Sequence, residues 1–183
     1  MNRDGGFCAA LLRFDDETST RLVQIVGELA AQQDRTLRAD AYPHVTLLPT
    51  DGSNDVERVE AITGLCRTAR RVPLRLSNIG TFPDSGVVYL GVTVTRPLLD
   101  LHREVSKVLS PAVDTPFLDL YDDGAWIPHC TVGSGLSPWM LGEAVEWLSE
   151  RVSLPIDAFA VAIDFVRVLS DGLRVVGSMP LCV

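Results

Sequence analysis

The stretches 41-AYPHVTLL-48 and 126-WIPHCTV-132 decide how this chain folds, because each carries the frame Pro-His-x-Thr inside a short apolar run. The chain has three histidines, and two of them stand in that frame, as His44 and His129. With residue frequencies of about 5% each, chance agreement at the framing prolines and threonines is roughly 10⁻⁵. Along an extended strand, residues two apart face the same way, so His44 shares a face with Tyr42 and Thr46. By the same alternation His129 shares a face with Ile127 and Thr131, while Cys130 and Val132 point into the opposite layer. The frame therefore predicts two equivalent strands, each presenting one imidazole and one hydroxyl to a common cleft.

Outward from these frames the chain nearly repeats itself. Residues 7–14 (FCAALLRF) read as a strand stopped by Asp15 and Asp16. Residues 17–35 space Leu22, Ile25, Val26, Leu29 and Ala30 on one helical face, with Thr18 and Ser19 as plausible caps. The first frame follows as a strand over 41–48, closed by Pro49 and the turn-rich DGSND. Residues 55–69 fit a shorter helix, with Val56, Val59, Ile62 and Cys66 on one stripe. Residues 72–79 and 87–94 form a hairpin around TFPDSG, and Pro97 starts a helix through LLDLHREVSKVL. A looser stretch over 110–125 leads to the second frame. A helix over 139–151 and a hairpin of DAFAVAIDFVRVL and LRVVGSMPL, turning at Ser170–Asp171–Gly172, close the series. This order predicts an α+β fold of two similar lobes within a single domain over residues 1–183.

Composition narrows the function. Hydrophobic residues make up 46% of the chain and charged residues 22%, a globular balance. No run approaches the roughly eighteen apolar residues of a membrane helix. The start, MNRDGGFCAALLRF, reads as a first strand rather than an export signal. A formal charge of -8 argues against broad, charge-driven binding to nucleic acid or membrane, yet leaves room for one phosphate in a local pocket. Cys8, Cys66, Cys130 and Cys182 are too scattered for a disulfide framework, which points to a reduced, cytoplasmic setting.

Two histidines and two threonines on one cleft suit a phosphodiester reaction. One neutral imidazole removes a proton from the attacking water, and the other, protonated, delivers one to the departing sugar oxygen. Each threonine hydroxyl donates to a non-bridging phosphate oxygen, where charge grows in the transition state. Unperturbed imidazoles titrating near 6.5 predict a bell-shaped pH profile with its maximum between about 6 and 7.5. Strand-entry geometry at proline accounts for part of the repeated frame as well. His102 reads as a structural residue on the polar side of its helix, near Ser106. A zinc site of His44, His102 and His129 would leave both threonines unexplained and lacks a compact ligand pattern, so the reading is metal-free and without cofactor. For substrate contact, Phe7 offers a ring to stack a base, Tyr42 a hydroxyl, and Arg13 a charge for a terminal phosphate. Packing explains Phe7 equally well. Trp126 has the opposite parity from His129 and reads as core or rim. Arg167 and Arg174 flank the last turn; either offers the same charge for a terminal phosphate, and strand-edge solvation explains each equally well. Asp119, Asp122 and Asp123 read as a solvated loop.

Four segments, PHVTL at 43–47, IGTFPDSGVVYLGV at 79–92, LHREVSKVL at 101–109 and WIPHCTV at 126–132, together resemble the two-histidine (2H) phosphoesterase superfamily. That superfamily includes bacterial RNA 2',5'-ligase-like proteins and cyclic nucleotide phosphodiesterases, and the resemblance runs from near residue 7 to the last hairpin. It implies a bilobal α+β fold with two pseudosymmetric lobes, whose antiparallel-rich sheets line a central cleft with helices outside. It also implies metal-independent hydrolysis of 2',3'-cyclic phosphates or 2',5'-linked small nucleotides, with His44, Thr46, His129 and Thr131 as the paired motifs. In relatives that open a 2',3'-cyclic phosphate the product carries a 2'-phosphate, which makes His44 the acid and His129 the base. Many relatives carry Arg or Lys shortly after the second motif, where this chain has Val132–Gly133–Ser134–Gly135. That departure favours a small nucleotide, handled by a monomer away from membranes, over long RNA. Two alternatives stay open: an RNA or tRNA 2',5'-ligase or end-processing enzyme acting on a short RNA end, and a non-catalytic nucleotide-binding regulatory module.

Overall fold

The computed structural model describes residues 7–33, 42–52, 54–109, 118–169 and 172–183. Within them the order is β1 (Phe7–Phe14), α1 (Asp16–Gln32), β2 (His44–Thr50), α2 (Asp55–Cys66), β3 (Val72–Phe82), β4 (Val87–Val92), α3 (Arg96–Leu109), β5 (His129–Gly133), α4 (Pro138–Arg151), β6 (Ile156–Leu169) and β7 (Gly172–Pro180). Short 3-10 turns stand at Pro83–Ser85 and Leu118–Tyr121. The end of the first expected helix, the start of the 41–48 strand, much of the 110–125 stretch and the Ser170–Asp171 turn lie outside the described residues.

Every strand pair is antiparallel, and the strands join in the order β2-β1-β6-β3-β4-β5, with β7 also on β6. The reason two lobes share one sheet is the length of β6. One of its edges pairs with β1; the other pairs first with β3 and then with β7. The end strands β2 and β5 touch each other without a hydrogen-bonded ladder between them, so the sheet curls until its two wings face across a cleft. This is the expected α+β, two-lobed arrangement.

The helices are exchanged between the wings. α1, which follows β1, packs on β5 and α4, whereas α3, which precedes β5, packs on β2 and β3. Leu12, Phe14, Leu22, Leu47, Leu90 and Phe165 belong to the main core, each almost fully buried. A smaller cluster of Ala9, Leu11 and Val166 lies on the other face of β1 and β6, and Tyr42 packs against it.

Several local expectations change. Asp15 caps α1, in place of Thr18 or Ser19: its carboxylate accepts from the Thr18 backbone N–H at 2.9 Å, the Thr18 hydroxyl at 3.0 Å and the Phe159 N–H at 2.8 Å. Burial pushes Asp15 up, but these donors win and hold its carboxyl below the ordinary value. β2 continues through Pro49 to Thr50 instead of closing at the proline, because β2 is an edge strand and tolerates a missing N–H on its open side. β3 runs on to Phe82, beyond the expected end at 79. β5 begins only at His129, with Pro128 already tied by its carbonyl to the Val92 N–H at 2.9 Å.

Candidate active site

Each frame builds its histidine in the same way. A proline confines the residue before it to extended conformations, which fixes where the carbonyls of Tyr42 and Ile127 point. His44 Nδ1 meets the Tyr42 carbonyl at 2.9 Å, and His129 Nδ1 meets the Ile127 carbonyl at 2.7 Å. A carbonyl only accepts, so Nδ1 carries the proton in both rings and Nε2 is left as the reactive nitrogen. The proline of the frame is thus part of the imidazole's mounting. Burial pushes both rings below the ordinary imidazole value, and charge on His129 lowers His44 further. That effect means the charge of His129 reaches the His44 ring.

The surroundings of the two rings differ. His129 sits in an aromatic corner, edge-on to Phe82 at 5.0 Å between centroids and 4.9 Å from Tyr89. Tyr89 crosses β3 at Gly80, where a Cβ would come within 2.4 Å of the phenol ring, so only glycine allows this close approach. His44 has Tyr42 at 5.6 Å and, across the β1–β2 ladder, Arg13. The Arg13 Nε stands 3.8 Å from Asp164, a buried carboxylate that also accepts from the Ser178 hydroxyl. Asp164 escaped the sequence reading. Its only signal was an acidic residue within the otherwise apolar AFAVAIDFV.

Thr46 lies opposite Leu11 on β2. Its carbonyl accepts from the Trp126 indole at 3.2 Å, and its hydroxyl is within hydrogen-bonding reach of the Tyr121 phenol. Thr131 is exposed opposite Tyr89 on β4. Beside His129 opens a cavity of about 470 Å³ walled by Phe7, Pro49, Phe82, Tyr121, Trp126 and Ile127. No Lys, Arg, Asp or Glu is among its described lining residues.

Of the candidate contact residues, Phe7 lines this cavity, whereas Arg13 and Tyr42 flank His44. The Tyr42 hydroxyl is enclosed without a partner among the described residues, and burial pushes it up. Trp126 is buried, as expected, but also bonds to Thr46. His102 is not on a polar helix side: it is 2% exposed and stacks on Trp126, with centroids 4.0 Å apart and planes at 15°. Among the described residues, no group of three or more His, Cys, Asp and Glu is placed to hold a metal ion. Arg167 is engaged by Asp55, and Asp123 by Arg103, so neither is spent on the cleft. Arg174 faces Arg167 across the β6–β7 ladder.

A family model described as the 2'-5' RNA ligase superfamily matches residues 14–170. No curated protein matches the chain. Among solved structures it is similar to TT0787 of Thermus thermophilus, with 16% identity and a TM-score of 0.64 over 96% of this chain and 97% of that one. It is also similar to E. coli LigT complexed with ATP, with 16% identity and a TM-score of 0.59 over 98% and 99% of the two chains. LigT complexed with 3'-AMP gives 15% identity and a TM-score of 0.58 over 97% and 98%. At such identities the likeness speaks for the fold, and it does so over nearly the whole of each chain.

Proposed function

The chain belongs to the 2'-5' RNA ligase superfamily, and on that premise we propose that it is a metal-independent phosphodiesterase acting on small 2',3'-cyclic or 2',5'-linked nucleotides. The observation that carries this reading is the matched mounting of His44 and His129, each held at Nδ1 by the carbonyl two residues earlier. In the proposed step, neutral His129 takes a proton from water at Nε2 while the water oxygen bonds to phosphorus. The bond from phosphorus to the departing ribose oxygen breaks, and protonated His44 gives that oxygen its proton. The hydroxyls of Thr46 and Thr131 donate to the non-bridging oxygens as charge accumulates there. Like-charge repulsion disfavours protonating both rings, so the pair naturally supplies one acid and one base.

The aromatic cavity supports a small substrate. Its volume suits one nucleoside-sized group, its walls suit a stacked base, and its described lining has no Lys or Arg to follow a polynucleotide backbone. E. coli LigT has been crystallised with ATP and with 3'-AMP, ligands of that size. We assign Phe7 to the base, and Arg13 and Tyr42 to the flank beyond His44. A monomer in the reducing cytoplasm is part of the reading, in keeping with four free cysteines.

The test is turnover of the four 2',3'-cyclic mononucleotides and of 2',5'-linked adenylates in the presence of a chelator, with products separated by phosphate position. Hydrolysis leaving a 2'-phosphate from the cyclic substrates is expected. Nucleotide binding without turnover across the panel would establish a binding module instead. Loss on chelation, with recovery on adding zinc or manganese, would overturn the metal-free step.

A further inference from the structure

We propose that Trp126 is a positioning residue that fixes Thr46 in the cleft, with His102 as the ring that holds the indole in place. The inference rests on the phosphodiesterase reading. It starts from a gap in the backbone: β2 and β5 carry the two motifs and touch, but no ladder sets their spacing. Side chains have to set it. Trp126 lies just ahead of His129 on the way into β5, and its indole N–H donates to the carbonyl of Thr46 on β2 at 3.2 Å. Because β2 is an edge strand, one row of its backbone groups lacks a strand partner, and the indole satisfies one of them. From the 3-10 turn before Trp126, the Tyr121 phenol reaches the Thr46 hydroxyl. Thr46 is therefore held by its main chain from the opposite wing, with the Tyr121 phenol beside its hydroxyl.

The indole is itself held. His102 on α3 lies almost parallel to it at 4.0 Å and is 2% exposed. Among the described residues neither imidazole nitrogen makes a well-formed hydrogen bond: Asp123 stands 3.8 Å from Nδ1, too far for one, and the Leu47 and Tyr121 backbone lies close enough only to favour the protonated ring. His102 thus acts mainly through its flat face, by stacking and by filling space. A hydroxyl that must meet a non-bridging oxygen in the transition state is sensitive to small displacements, which lower turnover more than they lower substrate binding.

The test is a set of variants assayed by steady-state kinetics and thermal melting. Trp126→Phe keeps a ring for the stack and loses the N–H; kcat should fall by about tenfold, with KM changed by less than about threefold. In a Thr46→Ala background the same change should cost little further, because both act on one hydroxyl. His102→Phe should restore most of the kcat that His102→Ala loses. Unchanged kcat in Trp126→Phe, losses that multiply with Thr46→Ala, or equal losses in the two His102 variants would overturn the proposal. If Trp126→Phe does not fold, the His102 pair decides. If the wild-type protein turns nothing over, the phosphodiesterase reading fails separately, and imidazole titration by NMR decides the positioning role. Loosening the clip should then let His44 titrate at higher pH as the charge on His129 moves away; an unmoved His44 would reject it.

Discussion

At the scale of single residues, two imidazoles with the same mounting do different work because their neighbours differ. His129 is enclosed by Phe82 and Tyr89, whereas His44 feels the buried Asp164 as well as the charge of His129. Replacing either histidine by Ala is expected to lower turnover by roughly 10²–10⁴-fold, and replacing Thr46 or Thr131 to cost less. A substrate with an activated leaving group should rescue His44→Ala and not His129→Ala; the opposite result would exchange the two roles. The structure also moves the expected pH profile. A base works above its pKa and an acid below its own, and burial lowers both rings, so both limbs shift toward acid. The maximum of kcat/KM for the free protein should therefore lie below the ordinary imidazole value near 6.5. The limbs belong to the pair as a unit. A maximum above 7 would contradict the lowering that partial burial gives both rings.

At the scale of elements, Asp15 shows how a boundary residue joins two of them. It starts α1 and also accepts from the Phe159 N–H of β6, close to a register shift in the β1–β6 ladder. Asp15→Ala should destabilise the protein by about 1–2 kcal/mol, read as a lower urea midpoint at constant slope. A change below about 0.3 kcal/mol would mean that water replaces the cap. Much at this scale was legible in the sequence. β1 occupies the expected residues 7–14, since an apolar run ending at two aspartates leaves little choice. The cap was misread for a physical reason: Asp15 and Thr18 both suit the role, and only the nearby Phe159 N–H selects the carboxylate that can serve several donors. Pro49 misled in the same way. It ends a central strand but not an edge strand, and which strand is at the edge is not a local property.

At the scale of the whole molecule, β6 ties the two wings into one sheet and the exchanged helices interlock them. One consequence is that all three histidines are held below the ordinary imidazole value, in each case chiefly by burial. The unfolded chain then binds more protons than the folded one as pH falls through 6.5, so stability present above that value is lost toward the lower folded values. The urea midpoint should drop between pH 7 and pH 5. His102→Phe should make that drop shallower by removing one contributor. A midpoint independent of pH in this range would mean that the rings protonate freely while the protein remains folded.

The sequence by itself determined the two strands that carry the histidines, the face each presents, the α+β class and the family resemblance. Those are properties of neighbours two to four residues apart, and alternation or helical periodicity records them directly. Tertiary structure decided what surrounds the motifs. His102 could be assigned to a polar side only while nothing packed against it, and the exchange of α3 onto the β2 wing buried it against Trp126. Asp164 became a neighbour of His44 because β1 lies between β2 and β6, an order no stretch of sequence states. The bond from Trp126 to Thr46 and the cavity that brings Phe7, Phe82 and Tyr121 together join residues far apart along the chain. They exist because the sheet curls until its end strands meet, and that closure depends on the packing of the whole core.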